Sequence, residues 1–101
     1  MVKIKWTELA SGDLNATHKY ISRGSKIRAT RLIRSLINST LKLETMPFCG
    51  RIMPEFEIYE LREILHNNYR IIYRVKPSSD IDILAVMHSS REIRQVISDR
   101  L

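Results

Sequence analysis

Two runs of strand-forming residues on either side of an Asn-Asn pair constrain the fold of this chain most. The runs cover residues 59–66 and 69–76, and Asn67 and Asn68 lie between them. Asparagine tolerates the positive backbone φ angles that a two-residue hairpin turn needs. Aromatic and β-branched residues recur in both runs, as is typical of strands that pack on one face. The pattern therefore predicts an antiparallel β-hairpin.

The turn also fixes which side chains share each face of this hairpin. With Leu65 opposite Arg70, every second residue of a run lies on the same side of the sheet. One side carries most of the aromatic and branched surface and should meet the helices. Its members are Arg62, Ile64, Tyr69, Ile71, Tyr73 and Val75. Among them, Arg62 fits poorly on a side that meets the helices. The other side, which we expect to be open, holds Leu61, Glu63, Leu65, Arg70, Ile72 and Arg74.

The first half of the chain predicts a strand followed by two helices. Apolar residues alternate with lysines over residues 2–6, which indicates a short strand. Thr7 can cap a first helix, whose apolar positions continue to Ile21. The Arg-Gly-Ser sequence at 23–25 ends this helix and begins a longer amphipathic helix that runs to Leu41. Helices joined this tightly should form an antiparallel hairpin that lies on a sheet.

The second half predicts the rest of the sheet. After a bend rich in proline and glycine, residues 51–58 form a loop or a ragged edge strand. Residues 81–87 are apolar on both faces apart from Asp82, as is typical of a central strand. Residues 91–97 predict a final helix, capped by a preceding serine. The expected class is α+β: a two-helix antiparallel hairpin packed on a small antiparallel β-sheet, with a short C-terminal helix, in one domain over 1–101.

The charge balance indicates an anionic partner. The chain has 17 lysines and arginines against 11 aspartates and glutamates, which gives a net charge of +6. Nucleic acid or an acidic protein segment would suit such a surface, although many small proteins are this basic. Arg28, Arg31 and Arg34 recur every three residues and form a basic ridge on the exposed side of the second helix. A solvated helix face would also explain this ridge.

Other features of the sequence narrow the function further. Cys49 is the only cysteine, so an intramolecular disulfide and a cysteine-based metal site are both excluded. We find no metal-ligand spacing and no glycine-rich phosphate loop, and we expect neither a metal nor another cofactor. No apolar run approaches the roughly 20 residues of a membrane span, and the start of the chain has no signal-peptide core. We expect a cytoplasmic protein that does not contact a membrane.

The arginines of the expected open face have two interpretations. Arg70 and Arg74 share that face with Glu63, which lies diagonally between them. The three side chains can form an ion-pair lattice that holds the sheet in register. Alternatively, the two arginines and Arg91 converge on phosphate and stabilise charge that develops at phosphorus. The spacing alone leaves both interpretations open.

His88 is the histidine placed best for chemistry. It ends the third strand, and its side chain can act as an acid or base near neutral pH. Glu55 is the nearest candidate for a partner carboxylate in an RNA-cleaving site. A packed, structural histidine is the simpler explanation of its position.

Four motifs in the second half of the chain are typical of one toxin superfamily. The four motifs are residues 47–55 (PFCGRIMPE), Leu61-Arg62-Glu63, residues 69–75 (YRIIYRV) and His88-Ser89-Ser90-Arg91. The first half of the chain adds Trp6, followed by an acidic helix start, and the helix hairpin. In these features, which extend over almost the whole chain, the protein resembles the RelE/ParE superfamily of type II toxin–antitoxin systems. The resemblance implies a small antiparallel sheet against a two-helix hairpin. It also implies a toxin that is silenced by a cognate antitoxin with a flexible, often acidic tail.

The superfamily has two branches with different targets. Members of the RelE branch cleave messenger RNA in the ribosomal A site. By resemblance, Glu55 or His88 would then act as acid or base, and Arg70 and Arg91 would hold phosphate. The C-terminal tyrosine found in some of these enzymes is missing, since residues 96–98 are Val-Ile-Ser. The studied members of the ParE branch poison DNA gyrase and are not nucleases, and the motifs of this chain look more like theirs.

We therefore expect a ParE-like toxin that binds and poisons DNA gyrase and has no catalytic residues. The alternative is a RelE-like endoribonuclease that acts with the ribosome on messenger RNA, and a weaker one is a homologue that binds an antitoxin but is no longer toxic. The residues expected to bind the target or phosphate are Arg62, Arg70, Arg74 and Arg91. The residues expected to bind the antitoxin are Arg28, Arg31 and Arg34.

Overall fold

In the computed structural model, which describes residues 1–88 and 92–101, a five-stranded sheet carries three helices. A single 3-10 turn, Leu41–Glu44, follows the second helix. In chain order the elements are β1 (Ile4–Trp6), α1 (Glu8–Ser22), α2 (Lys26–Ser39), β2 (Arg51–Ile52), β3 (Leu61–His66), β4 (Tyr69–Val75), β5 (Ile81–His88) and α3 (Arg94–Arg100).

The sheet is mixed. Its strand order is β1-β5-β4-β3-β2, in which β1 runs parallel to β5 and the other neighbouring pairs are antiparallel. The α+β class, the helix hairpin and the C-terminal helix are therefore confirmed, whereas the sheet is not wholly antiparallel. The parallel pair arises because β1 occupies the edge of the sheet beside the last strand, β5, and runs in the same direction. This position also makes β5 the interior strand that its apolar sequence predicts.

The predicted hairpin and its register are confirmed. Strands β3 and β4 pair with Leu65 opposite Arg70 and Leu61 opposite Arg74. Asn67 and Asn68 form the turn with φ angles of 48° and 65°, which are the left-handed values that asparagine tolerates. The first strand begins at Leu61, two residues later than the sequence pattern predicts.

Hydroxyl side chains begin both helices of the hairpin. The Thr7 hydroxyl accepts a hydrogen bond from the Ala10 N–H at 3.2 Å and donates one to the Ile83 carbonyl at 2.7 Å. Ser25 caps α2 by accepting from the Arg28 N–H at 3.2 Å. Such caps satisfy backbone donors that have no partner within the helix. Because Thr7 also bonds to β5, the cap positions α1 on the sheet.

The main core lies between this helix hairpin and one side of the sheet, which we call the helix face. Its members come from both helices, the 3-10 turn and three strands: Ala10, Leu14, Leu36, Leu43, Ile64, Ile71, Tyr73, Val75, Ile81, Ile83 and Val86. The predicted assignment of Ile71 and Tyr73 to the side that meets the helices is therefore confirmed.

The opposite side of the sheet, the outer face, is covered rather than open as expected. Residues from β3, β4 and β5 pack there against Met53 and against α3, in a second cluster of Met53, Leu61, Ile72, Leu84, Ala85, Met87, Ile93 and Ile97. The expectation was wrong because Leu61 and Ile72 join the outer side chains of β5 in an apolar surface that needs a cover.

The C-terminal helix supplies much of this cover. It begins at Arg94, after Ile93 in the N-cap position, and so starts later than the predicted residue 91. The two serines proposed as its cap, Ser89 and Ser90, lie outside the described residues.

An ion pair at the end of α3 replaces a missing strand neighbour of β5. β1 pairs only with residues 81–83 of β5. Beyond them, the Val86 N–H donates to the Asp13 carboxylate at 2.9 Å, and the Leu84 carbonyl accepts from the Arg100 guanidinium at 2.9 Å. Asp13 and Arg100 bond to each other at 2.6 and 3.0 Å. This Asp13–Arg100 pair thus satisfies the edge of β5 and joins α3 to α1.

We expect Arg100→Met to reduce the free energy of unfolding by about 1–3 kcal/mol, because it removes the guanidinium that donates to the Leu84 carbonyl and leaves the Asp13 carboxylate with the Val86 N–H as its remaining donor. The same substitution at Arg31, which is exposed on α2, should have little effect and is the matched control. Urea unfolding measures both losses, and amide hydrogen exchange should accelerate at Val86 in Arg100→Met alone. Equal losses in the two variants would contradict the structural role of the pair.

Candidate functional site

Arg70 is the centre of a charged network on the outer face. Its guanidinium donates to both oxygens of Glu55, from Nη1 at 2.6 Å and from Nη2 at 2.7 Å. Its Nε donates to the Glu63 carboxylate at 2.7 Å. Arg70 is 8% exposed, so two carboxylates hold three of its nitrogen atoms beneath the surface. A two-pronged contact of this kind fixes an arginine side chain in orientation as well as in charge.

Glu63 is the most deeply buried charge of this network. Its side chain is 0% exposed. One carboxylate oxygen accepts from Arg70, and the other accepts from Arg51, which lies opposite Glu63 in the β2–β3 pair. Two guanidinium groups therefore compensate one carboxylate that has no contact with water. Such an arrangement is stable only while the partners are in place, because an unpaired buried charge is costly.

The protonation states of the network are fixed by its own contacts. The hydrogen bond from Arg70 lowers the pKa of Glu55, against the opposing effect of burial. The same bond raises the pKa of Arg70, with Glu63 adding to the effect. Both groups are charged at neutral pH. In this state Glu55 is a hydrogen-bond acceptor bound to a cation, and not a base that is ready to take up a proton.

Two contacts hold the segment that carries Glu55. Arg94 of α3 donates from Nη1 to the Glu55 carbonyl at 2.7 Å, and its guanidinium lies 5.8 Å from the centre of the Phe56 ring. The Arg70 bonds hold the Glu55 side chain from the opposite direction. The predicted loop segment that carries Glu55 is therefore tied to both β4 and α3.

Arg62 has a structural environment on the opposite side of the sheet. Its Nε donates to the Tyr59 carbonyl at 2.8 Å, and its Nη1 donates to the carbonyls of Phe48 and Gly50 at 3.1 and 3.0 Å. The guanidinium lies 4.6 Å from the Tyr59 ring centre and 5.1 Å from that of Phe48. These contacts explain why an arginine is buried on the helix face: it holds the loop before β2.

Tyr73 also holds the loop before β2. Its hydroxyl accepts from the Gly50 N–H at 2.9 Å, and burial raises the pKa of Tyr73 to about 12. A Cβ at position 50 would lie 2.6 Å from that hydroxyl oxygen and 2.7 Å from the Glu63 carbonyl. Only glycine allows such a close approach. The glycine of the predicted bend is therefore required by packing.

Arg74 belongs to a different group of charges from Arg70. It lies 3.5 Å from the Asp82 carboxylate, which is also 3.5 Å from Lys76. Arg70 and Arg74 are four residue steps apart on β4, which corresponds to roughly 13 Å along the strand. Arg74 does not pair with Glu63, so the predicted lattice of three side chains forms only in part. With 42% of its side chain exposed, Arg74 is more accessible than Arg62 or Arg70.

The residues predicted for a ribonuclease are not all brought together. Glu55 and Arg70 are in direct contact on the outer face. His88 pairs with Tyr69 at the exposed end of β5, and its ring meets the Tyr69 ring edge to face at 5.4 Å. This places His88 on the helix face, away from Arg70. Arg91 lies outside the described residues.

The basic ridge of α2 is present as the sequence predicts. Arg28, Arg31 and Arg34 are all exposed. Two features were not predicted from sequence: the role of Arg51 and the pairing of Asp13 with Arg100. Arg51 could have been recognised, since it belongs to the motif of residues 47–55 and begins the predicted edge strand. The Asp13–Arg100 pair is separated by 87 residues, and no local pattern indicates it.

Within residues 1–88 and 92–101, no three side chains of His, Cys, Asp or Glu are grouped so as to hold a metal ion. No helix in those residues is long and apolar enough to cross a bilayer.

We expect Glu55→Gln to destabilise the protein at neutral pH and to lose this effect in acid. Because the folded-state pKa of Glu55 is lowered, its charge contributes stability above the unfolded pKa, and the contribution is lost as pH falls through the folded value. The difference from the unmodified protein should be constant from about pH 7 to 5 and then shrink below the ordinary value of 4.5. Urea unfolding across this range measures it, with exposed Glu60→Gln as control. A difference that grows in acid would contradict the assignment.

Comparison with solved structures identifies the architecture. A structure described as the chromosomal ParDE toxin–antitoxin system from P. aeruginosa matches with a TM-score of 0.72 and 24% identity, over 87% of this chain and 96% of that chain. The RelBE2 toxin–antitoxin complex from Mycobacterium tuberculosis matches with a TM-score of 0.57 and 16% identity, over 86% and 96%. At these identities the likeness shows a shared fold.

Sequence comparison identifies the family. Among curated proteins, none is significantly similar to this chain in sequence. The family model described as the ParE toxin of the type II toxin–antitoxin system parDE matches residues 4–93. This range includes both helices of the hairpin and all five strands, and it confirms the resemblance to the RelE/ParE superfamily. The chain belongs to the ParE toxin family of type II toxin–antitoxin systems.

Proposed function

We propose that this ParE-family toxin inhibits growth by binding and poisoning DNA gyrase in the cytoplasm, and that a cognate antitoxin silences it. The observation that carries the proposal is the pairing of Arg70 with two carboxylates. A nuclease needs a cation that is free to approach the scissile phosphate. Here the cation best placed for that task is already neutralised by the protein itself.

The acid–base groups support the same conclusion. Glu55 is held in its charged form by Arg70, and the two groups form a closed pair. His88 is exposed on the other side of the sheet, where it packs against Tyr69. General acid–base catalysis needs its groups within hydrogen-bond reach of one substrate. The separation of His88 from Arg70 argues for a surface that acts by binding.

Of the arginines predicted to contact a target, Arg74 is the most suitable among those described. Arg62 and Arg70 are each 8% exposed, and their guanidinium groups already bond to carbonyl or carboxylate oxygens. Arg74 is partly exposed and lies in a pocket that also includes Lys76, Glu60 and Leu101. This pocket contains both charge and apolar surface, as protein interfaces require.

Purified protein with gyrase, ATP and plasmid DNA should accumulate cleaved DNA complexes that depend on gyrase. Programmed ribosomes incubated with the same preparation should leave their message intact, because Arg70 is committed to Glu55 and Glu63. Gel analysis of plasmid and message measures both outcomes. Cleavage of the message in the A site would overturn the proposal in favour of the ribonuclease. Antitoxin binding with neither effect would also overturn it and indicate a homologue that is no longer toxic.

The antitoxin should bind the exposed side of the helix hairpin, where Arg28, Arg31 and Arg34 lie. The antitoxin is expected to be the product of an adjacent small gene. The affinity of the toxin for this product should weaken as salt rises, because exposed charges are screened. The double substitution Arg31→Glu with Arg34→Glu should weaken it further than Lys3→Glu with Lys5→Glu, which removes the same charge elsewhere. Calorimetry at low and high salt measures both effects. Binding that is indifferent to salt would contradict this assignment.

A further inference from the structure

The net positive charge of this protein lies in one segment, which covers most of the helix hairpin and the 3-10 turn that follows it. Residues 14–43 contain seven lysines and arginines and no aspartate or glutamate. The remaining residues contain 10 cations and 11 acidic residues, so they sum to −1 and the whole chain to +6. The seven cations, which we call the hairpin cations, are Lys19, Arg23, Lys26, Arg28, Arg31, Arg34 and Lys42.

The hairpin cations also differ from the others in their contacts. On the sheet, Arg51, Arg70 and Arg74 each pair with a carboxylate. Within residues 1–88 and 92–101, no ion pair involves a hairpin cation. Arg23 instead lies 5.6 Å from the centre of the Tyr20 ring. Seven exposed charges of one sign within 24 residues of sequence repel one another, and an external polyanion relieves that repulsion.

We propose that the hairpin cations form a binding surface for the phosphate backbone of duplex DNA. Four of the seven are arginines, whose planar guanidinium groups match phosphate oxygens. Three of these arginines recur at steps of three along α2, which advances about 4.5 Å per step. α2 has 14 residues and is about 21 Å long, which is well over half a turn of duplex DNA. The surface makes no sequence-specific contact, because it recognises the charge of the phosphate groups and not the bases.

The alternative occupant of this surface is an acidic protein segment. An amphipathic helix binds through an apolar stripe beside its charges. The apolar side chains of α2 that could receive one, Ile33 and Ile37, line a pocket with Leu14 and His18 of α1, and none of the hairpin cations lines that pocket. The cations themselves therefore favour a ligand held by regularly spaced charge. Because the proposed antitoxin surface overlaps this one, DNA and antitoxin would exclude each other. DNA binding is nevertheless independent of whether gyrase is the target.

The test is fluorescence anisotropy of the isolated full-length chain with a labelled 20-base-pair duplex of arbitrary sequence, over a series of salt concentrations. We expect micromolar binding at low salt that weakens steeply as salt rises, with a slope of about −0.9 in log K against log salt for each phosphate contacted. The double variant Arg31→Glu with Arg34→Glu should bind at least about tenfold more weakly, and its salt slope should fall by about two.

The control is Lys3→Glu with Lys5→Glu, two exposed lysines on β1 and before it. Both double variants lower the net charge by the same amount, and circular dichroism establishes that each is folded. The control should retain affinity within about twofold of the unmodified protein. Three results would overturn the proposal: no binding at low salt, equal loss of affinity in both double variants, or competition by polyglutamate as effective per charge as competition by unlabelled duplex.

Discussion

The Glu63 carboxylate, which has no access to water, holds strands β2, β3 and β4 of this sheet together. Glu63 accepts from Arg51 on β2 and from Arg70 on β4, so the edge strand, the hairpin and the segment after the edge strand share one network. β2 has only two residues, which is too short to be held by backbone pairing alone. This buried charge and the contacts of Arg62 and Tyr73 with the loop before β2 hold the strand in position. Together they allow a two-residue strand to complete a five-stranded sheet.

The protein separates its charges into two regions with different roles. On the sheet, opposite charges neutralise one another and maintain the fold. Residues 14–43, which form most of the helix hairpin and the turn after it, carry only positive charges, and these face solvent and remain available. Because buried pairs are screened little by salt and exposed charges strongly, a change of ionic strength alters the second region while it leaves the first almost unaffected. A toxin built in this way can have a salt-sensitive surface on a salt-tolerant scaffold.

The features that were predictable from sequence depend on local chemistry. Asn67 and Asn68 specify a turn, the turn specifies a register, and the register places Ile71 and Tyr73 in the core. The cover of the outer face was missed because Met53 stands in an irregular segment, and because the helical spacing of Ile93 and Ile97 does not indicate which side of the sheet their helix covers. The parallel placement of β1 was missed because no local pattern records which strand lies beside another.

The candidate site was predictable to a similar extent. Glu55 and Arg70 were both singled out, but their direct contact depends on how the segment after β2 folds back over the sheet. Arg62 was recognised as an anomaly on the apolar face. Its explanation requires the carbonyl groups of Phe48 and Gly50, and the position of backbone oxygens in an irregular loop cannot be read from side-chain identity.

The Asp13–Arg100 pair has a consequence for how molecules of this protein meet one another. An unpaired strand edge invites a strand from another copy, which begins edge-to-edge aggregation. Here the Asp13 and Arg100 side chains occupy the donor and the acceptor that such a strand would use. The pair therefore protects the edge of β5 against pairing with another copy, and a protein without it would lose solubility before it lost activity.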